Sequence, residues 1–266
     1  MIAIDTIRKI SISLFLILSI DSANAQFNES IRTGRPGQAD DPFAVGTNVF
    51  QTETGLDAGG FKLKDKNYKG SFLVPNTFLR FGMSEHFDLN CVLEFRADHF
   101  DSYGRKTDFG GLSALNLGAR INLTEGEGFF PASGLQISLK LPFLGYQYEK
   151  DYVAPKIVFL SGGKLTERLA VLVNLGIDYN GFDSKPNGLY VLNFAYTISN
   201  SLGIFIENYA SFTEDYFENH WDAGLGYTVN SNLQLDLFGG AGSNDGRVDY
   251  FASLGFSWRI HNKDLK

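Results

Sequence analysis

The feature that most constrains this chain is a strict alternation near its C-terminal end. Across residues 247–260 the even positions are Val248, Tyr250, Ala252, Leu254, Phe256, Trp258 and Ile260. The odd positions are Arg247, Asp249, Phe251, Ser253, Gly255, Ser257 and Arg259. A period of two sends these sets to opposite faces of one strand. A strand that is apolar on one face and charged or small on the other, repeated around a ring, describes a transmembrane β-barrel.

The pattern recurs along the chain. Strands are predicted near 45–56, 71–83, 87–98, 111–123, 133–143, 154–163, 168–180, 188–199, 201–212, 219–229, 232–242 and 247–260. Most are long enough to cross a bilayer at a tilt, and longer than usual soluble strands. The fourth places Leu115, Leu117, Ala119, Ile121 and Leu123 against Asn116, Gly118, Arg120 and Asn122. The fifth places Leu135, Ile137, Leu139, Leu141 and Phe143 against Gln136, Ser138 and Lys140. The seventh and tenth separate as well, whereas the first, second, sixth and ninth leave their register open. The lone cysteine, Cys91, falls on an apolar face with Leu89 and Leu93, so it reads as a small apolar residue and excludes an intrachain disulfide.

Links alternate in length. Short ones at 84–86, 164–167, 199–201 and 230–231 are read as periplasmic turns, with 124–132 as the exception. Longer, charged, Gly-containing links such as 58–70, 99–110 and 145–153 are read as outer loops. Charges such as Lys62, Lys64, Asp65, Lys66, Glu214, Asp215 and Glu218 would solvate that outer face. Aromatic residues near strand ends, among them Phe81, Phe87, Phe143, Tyr179, Tyr190, Tyr196, Trp221, Tyr227 and Trp258, fit two interfacial girdles.

Residues 1–25 read as a secretory signal. Arg8 and Lys9 precede an apolar stretch, and Ala23-Asn24-Ala25 offers a cleavage site. This divides the chain into a signal peptide (1–25), a leader (26–44), a barrel (45–260) and a tail (261–266). The polar leader carries Gly34, Pro36, Gly37 and Pro42. Two readings stand for it: a small plug inside the barrel, or a periplasmic extension. The net charge of -7 argues against nucleic acid as a partner. A mean hydropathy of -0.10 is compatible with a barrel, whose strands are only half apolar.

The N-terminal motifs narrow the reading further. They are Thr33-Gly34-Arg35-Pro36-Gly37-Gln38-Ala39-Asp40-Asp41-Pro42-Phe43, then Gln51-Thr52-Glu53, then Pro75-Asn76-Thr77-Phe78-Leu79-Arg80-Phe81-Gly82. With Gly203-Ile204-Phe205-Ile206-Glu207, they resemble the outer-membrane transporter family named for the MetA pathway of phenol degradation. The resemblance spans most of residues 30–260 and departs at Gly34, where that family's pattern has Asp. It implies an outer-membrane barrel and gives weight to Glu53, Arg80 and Glu207. Ser253, Gly255, Trp258 and Ile260 also fit the spacing of a barrel-assembly signal, followed here by residues 261–266.

Parity assigns the inward charges Glu53, Arg80, Asp88, Glu94, Arg96, Arg120, Lys140, Asp178, Glu207, Asp222 and Asp236 as lumen-lining candidates. Both signs are present, so they suit either a wet pore or a network of ion pairs that closes it. The four histidines (His86, His99, His220 and His261) are scattered, and G-x-S-x-G is absent. No catalytic residue, metal ligand or cofactor is therefore expected. The leading expectation is passive uptake of small aromatic or hydrophobic solutes through the outer membrane of a Gram-negative cell. Lipid and the barrel-assembly machinery would be the partners. A closed structural or surface-interaction barrel is the alternative, and a barrel lipid hydrolase the weaker third.

Overall fold

In a computed structural model, described for residues 30–63, 67–127, 130–244 and 246–261, the chain forms a closed antiparallel barrel. Its twelve strands are β1 (Val49–Leu63), β2 (Tyr68–Ser84), β3 (Phe87–Ser102), β4 (Arg105–Thr124), β5 (Ala132–Lys140) and β6 (Ala154–Lys164), followed by β7 (Leu169–Tyr179), β8 (Pro186–Thr197), β9 (Leu202–Phe212), β10 (Phe217–Asn230), β11 (Leu233–Asn244) and β12 (Arg247–His261). Each strand pairs with its sequence neighbours, and β1 pairs with β12 to close the ring. Closure leaves no strand edge unpaired, which a lipid-embedded sheet requires. The expected signal segment, together with residues 26–29, 64–66, 128–129, 245 and 262–266, lies outside the described residues.

Burial is inverted relative to a water-soluble sheet. On β12, Tyr250, Leu254, Phe256, Trp258 and Ile260 are exposed, while Asp249, Ser253, Ser257 and Arg259 are buried. Arg120 is 0% exposed, whereas Leu175 is 52% exposed. Exposed apolar side chains run around the whole ring, from Leu73 and Leu89 to Ile206 and Leu237. Covering each with hydrocarbon is worth roughly 1.5–3 kcal/mol. Water could not supply that, so the outer surface is built for lipid.

The expected strands are present, with three corrections. The first begins at Val49 rather than near residue 45. Gly46 takes a positive φ of 97°, and Asn48 N–H donates to the Gly82 carbonyl. A Cβ on Gly82 would sit 1.6 Å from the Gly46 carbonyl oxygen, so the chain turns into the barrel wall across a glycine contact. Second, most of the links expected at 58–70 and 99–110 are strand, and β1–β4 run on into two hairpins. Third, β5 ends at Lys140, leaving Leu141 and Phe143 in the long link before β6.

Candidate functional site

The inner surface divides into a lower zone of charge and an upper zone of aromatic rings. Both are set by parity on the strands, adjusted at bulges, of which the one in mid-β4 matters most here. The β3–β4 register shifts at Glu94/Phe95, so β4 changes face near Ser113. Such a bulge re-aims every side chain beyond it.

In the lower zone the N-terminal segment, residues 30–48, runs inside the ring. Its backbone has no strand partner of its own, and buried peptide groups must be satisfied. The wall satisfies them. Ile31 N–H donates to the Ser231 carbonyl in the short β10–β11 turn at 2.8 Å. Gly34 N–H donates to Glu53 at 2.9 Å. The Gln38 and Ala39 N–H groups both donate to Glu207. Asn174 exchanges two hydrogen bonds with the Asp40 backbone, at 2.8 and 2.9 Å. Arg80 donates to the Phe43 carbonyl at 2.7 Å, and Asp88 accepts from Val45 N–H at 3.2 Å.

Side-chain ion pairs complete the attachment. Arg35 bonds Asp236 at 2.9 Å and Ser253 at 2.8 Å. Arg120 pairs with Asp40 at 2.5 Å and with Asp41 at 3.5 Å. Arg80 bridges Asp88 at 2.6 Å and Glu53 at 3.8 Å within the wall itself. Charge-assisted bonds of this kind are each worth about 1.5–3 kcal/mol, and they reach the segment from opposite sides of the ring.

The attachment does not fill the cross-section. A cavity of ≈ 310 Å³ lies beside Pro36 and Ala39, against Asn193, Ala195, Gly203, Phe205 and Gly226 on the inner wall. Gly203 and Gly226 are cross-strand partners, so two missing side chains coincide there.

From the cavity upward, Phe205, Phe238 and Phe251 form a run with ring centroids 6.2 and 5.6 Å apart. Nearer the outer mouth, Phe61, Phe100, Phe109 and Tyr148 form a chain with successive spacings of 5.7, 5.3 and 5.8 Å. Tyr68 joins it 5.5 Å from Phe61. Tyr148 comes from the β5–β6 link, which folds back so that its hydroxyl donates to Asp98 at 2.7 Å. Burial, reinforced by the Asp98 carboxylate, raises the Tyr148 hydroxyl well above the ordinary phenol range, so it remains a donor. Arg96 and Arg247 lie over the rings of Phe72 and Phe61, at 4.6 and 4.3 Å, a favourable cation–ring geometry.

The structure sorts the sequence candidates into three groups. Glu53, Arg80, Arg120, Glu207 and Asp236 bind or support the inner segment. Asp222 is buried as the cross-strand partner of Glu207 and makes no hydrogen bond to the segment. Glu94, Arg96 and Lys140 lie higher, with separate partners: Ser113 for Glu94, Asp98 for Arg96, and Asp178 for Lys140. Glu218 departs from its expected place among solvated loop charges, because it is on β10 beside His220. Arg35, Asp40, Asn174 and the inward aromatic rings were not singled out by inward charge parity. The dense charge of residues 33–41 was the one signal that could have found the first two.

The sequence pattern of the family described as "Putative MetA-pathway of phenol degradation" matches residues 33–260. Among curated proteins none matches significantly. A solved outer membrane channel from Pseudomonas putida F1 shares the fold at 12% identity, with a TM-score of 0.68, over 83% of this chain and 98% of that one. The translocator domain of the autotransporter NalP from Neisseria meningitidis follows at 11% identity and 0.51, over 81% and 89%. The β domain of the Bordetella autotransporter BrkA stands at 10% identity and 0.50, over 80% and 100%. These three are described as a channel, a translocator domain and a β domain, none as an enzyme.

Proposed function

This chain belongs to the family described for the MetA pathway of phenol degradation, and we propose from that premise that it is a passive outer-membrane channel for small aromatic or hydrophobic solutes. Cleavage near Ala25 and insertion by the barrel-assembly machinery would place it in a Gram-negative outer membrane with the inner segment facing the periplasm. The observation that carries the reading is the chain of rings from Phe61 to Tyr148 on the inner surface above the segment. Offset and tilted rings at these spacings offer quadrupolar faces and edges to an aromatic guest. A wall built only for closure would carry interlocking aliphatic or ion-paired side chains there.

Residues 30–48 act as the plug in this proposal, and the lumen charges hold it. The cavity between Pro36 and the Gly203–Gly226 pair supplies the narrow path past it. No energy-coupling element is required, because passage follows the concentration gradient. The dense hydrogen bonding of the segment favours a second reading, a barrel that stays shut.

Flux separates the two. Liposomes carrying the refolded barrel should admit a small aromatic solute faster than a polar solute of equal size. Equal flux, at the rate of protein-free liposomes, would support the closed barrel.

A further inference from the structure

Away from the inner segment and its anchors, three side chains with metal-ligand chemistry meet near the outer mouth. Glu218 and His220 are two residues apart on β10 and therefore share its inner face. Asp249 lies two strands away, because His220 pairs with Gly242 of β11 and Gly242 pairs with Asp249 of β12. Gly242 puts no side chain between them. A Cβ there would lie 2.1 Å from the His220 ring, so the space between the ligands depends on glycine. Tyr209 stacks on that ring at 5.1 Å with an interplanar angle of 7°, fixing its plane.

His220 Nε2 is 3.8 Å from Glu218 Oε1 and 4.0 Å from Asp249 Oδ2. The ligand atoms of all three lie within 4.8 Å of one another. A second observation points to a bound cation. Asp249 is only 9% exposed, and Arg247 donates to its Oδ1 at 2.7 Å. Its Oδ2, the oxygen nearest His220, accepts no hydrogen bond. A buried carboxylate oxygen without a donor costs free energy that a cation would offset.

We propose that Glu218, His220 and Asp249 form a site for a divalent first-row transition ion of the Zn(II) type. One imidazole nitrogen and two carboxylate oxygens suit that ion better than Mg(II) or Ca(II), which prefer all-oxygen shells. The 3.8 and 4.0 Å separations from His220 Nε2 to the two carboxylate oxygens exceed by a few tenths the ~3.4 Å between neighbouring ligands held ~2.0–2.2 Å from a tetrahedral zinc. Binding would draw the two carboxylates toward the ring by that amount. Three protein ligands leave a fourth position for water at the mouth, while Arg247 holds the other Asp249 oxygen and orients the carboxylate. The site stands whether or not the lumen conducts.

Isothermal titration of the refolded barrel with Zn(II) alone tests this. One saturable site is expected. His220→Ala and Asp249→Asn should each weaken it by about tenfold or more, and His99→Ala, on the exposed His99–Asp108 pair, should leave it unchanged. Gly242→Ala keeps every ligand yet should also weaken binding, by filling the space between them. Should His220→Ala fail to refold, His220→Gln removes the imidazole donor with less loss of volume and should weaken binding to the same extent. No saturable uptake by the folded wild type, or unchanged affinity in the His220 and Asp249 variants, would overturn the proposal.

Discussion

Gly55 and Gly255 face each other across the β1–β12 seam, and the Arg35 guanidinium occupies the space their missing side chains leave. A Cβ on Gly55 would lie 2.2 Å from Arg35 Nη1, and one on Gly255 2.5 Å from Nη2. The seam that closes the barrel is thus also the socket that holds the inner segment. Gly255→Ala should expel the guanidinium and strand Asp236, a loss of about 3–5 kcal/mol for a broken buried pair. Protease digestion from the periplasmic side should then cut within residues 30–45, as it should in Arg35→Ala. Combining the two changes should add little, because both remove the same interaction.

Gly34 stands where the motif resemblance read from the sequence implies Asp. A Cβ there would lie 2.8 Å from Asp40 Oδ1 and 3.4 Å from Glu53 Oε2. Gly34→Asp would bring a third carboxylate against two others while Gly34 N–H still needs Glu53. The substitution should loosen the segment more than Gly34→Ala does. Protease susceptibility of residues 30–45 in the two variants checks this, and equal susceptibility would show that charge is not the cause.

Asp222 and Glu207 are cross-strand partners of opposite usefulness. Glu207 accepts from Gln38, Ala39 and Asn193, whereas no N–H or hydroxyl group donates to either Asp222 oxygen. Removing one of two facing buried carboxylates should therefore stabilise the fold. Asp222→Asn is expected to raise barrel stability by about 1–3 kcal/mol, read as a higher urea midpoint. Glu207→Ala should lower it, since three donors lose their acceptor.

Phe100 sits between Phe61 and Phe109 in the upper ring chain. If that chain guides aromatic solutes, Phe100→Ala should weaken their binding in the lumen by about 0.5–1.5 kcal/mol, roughly two- to tenfold. Block of ion current by a small aromatic solute, titrated in wild type and variant, measures this directly. Current block by a polar solute should not change.

Much of the barrel was legible because lipid and lumen enforce period two. Residues 115–123 show it without interruption, and 169–179 and 247–260 with one large inward apolar residue each, Leu172 and Phe251. The outer hairpins were misread for a physical reason. Above the bilayer the outward residues are Lys62, Lys69, His99, Asp101 and Lys106, while Phe61, Tyr68, Phe100 and Phe109 point inward. The polarity of the two faces inverts there, so a search for greasy outward positions stops too early. Parity also placed Glu53, Arg80, Arg120, Glu207 and Asp236 on the inner face. It could not show what they bind, because residues 30–48 have no period and their contacts span up to 224 positions, as between Thr33 and Ser257. The meeting of Glu218, His220 and Asp249 was invisible for the same reason: only the β10–β11–β12 register brings them together.

The central claim is that residues 30–48, held by these inward charges, narrow a conducting lumen. Single-channel recording of the refolded barrel, with and without residues 26–44, tests it most directly. The intact chain should give small or infrequent steps, and the shortened barrel, shown to be folded, should give larger and steadier ones. Identical traces from the two, whether silent or conducting, would contradict it.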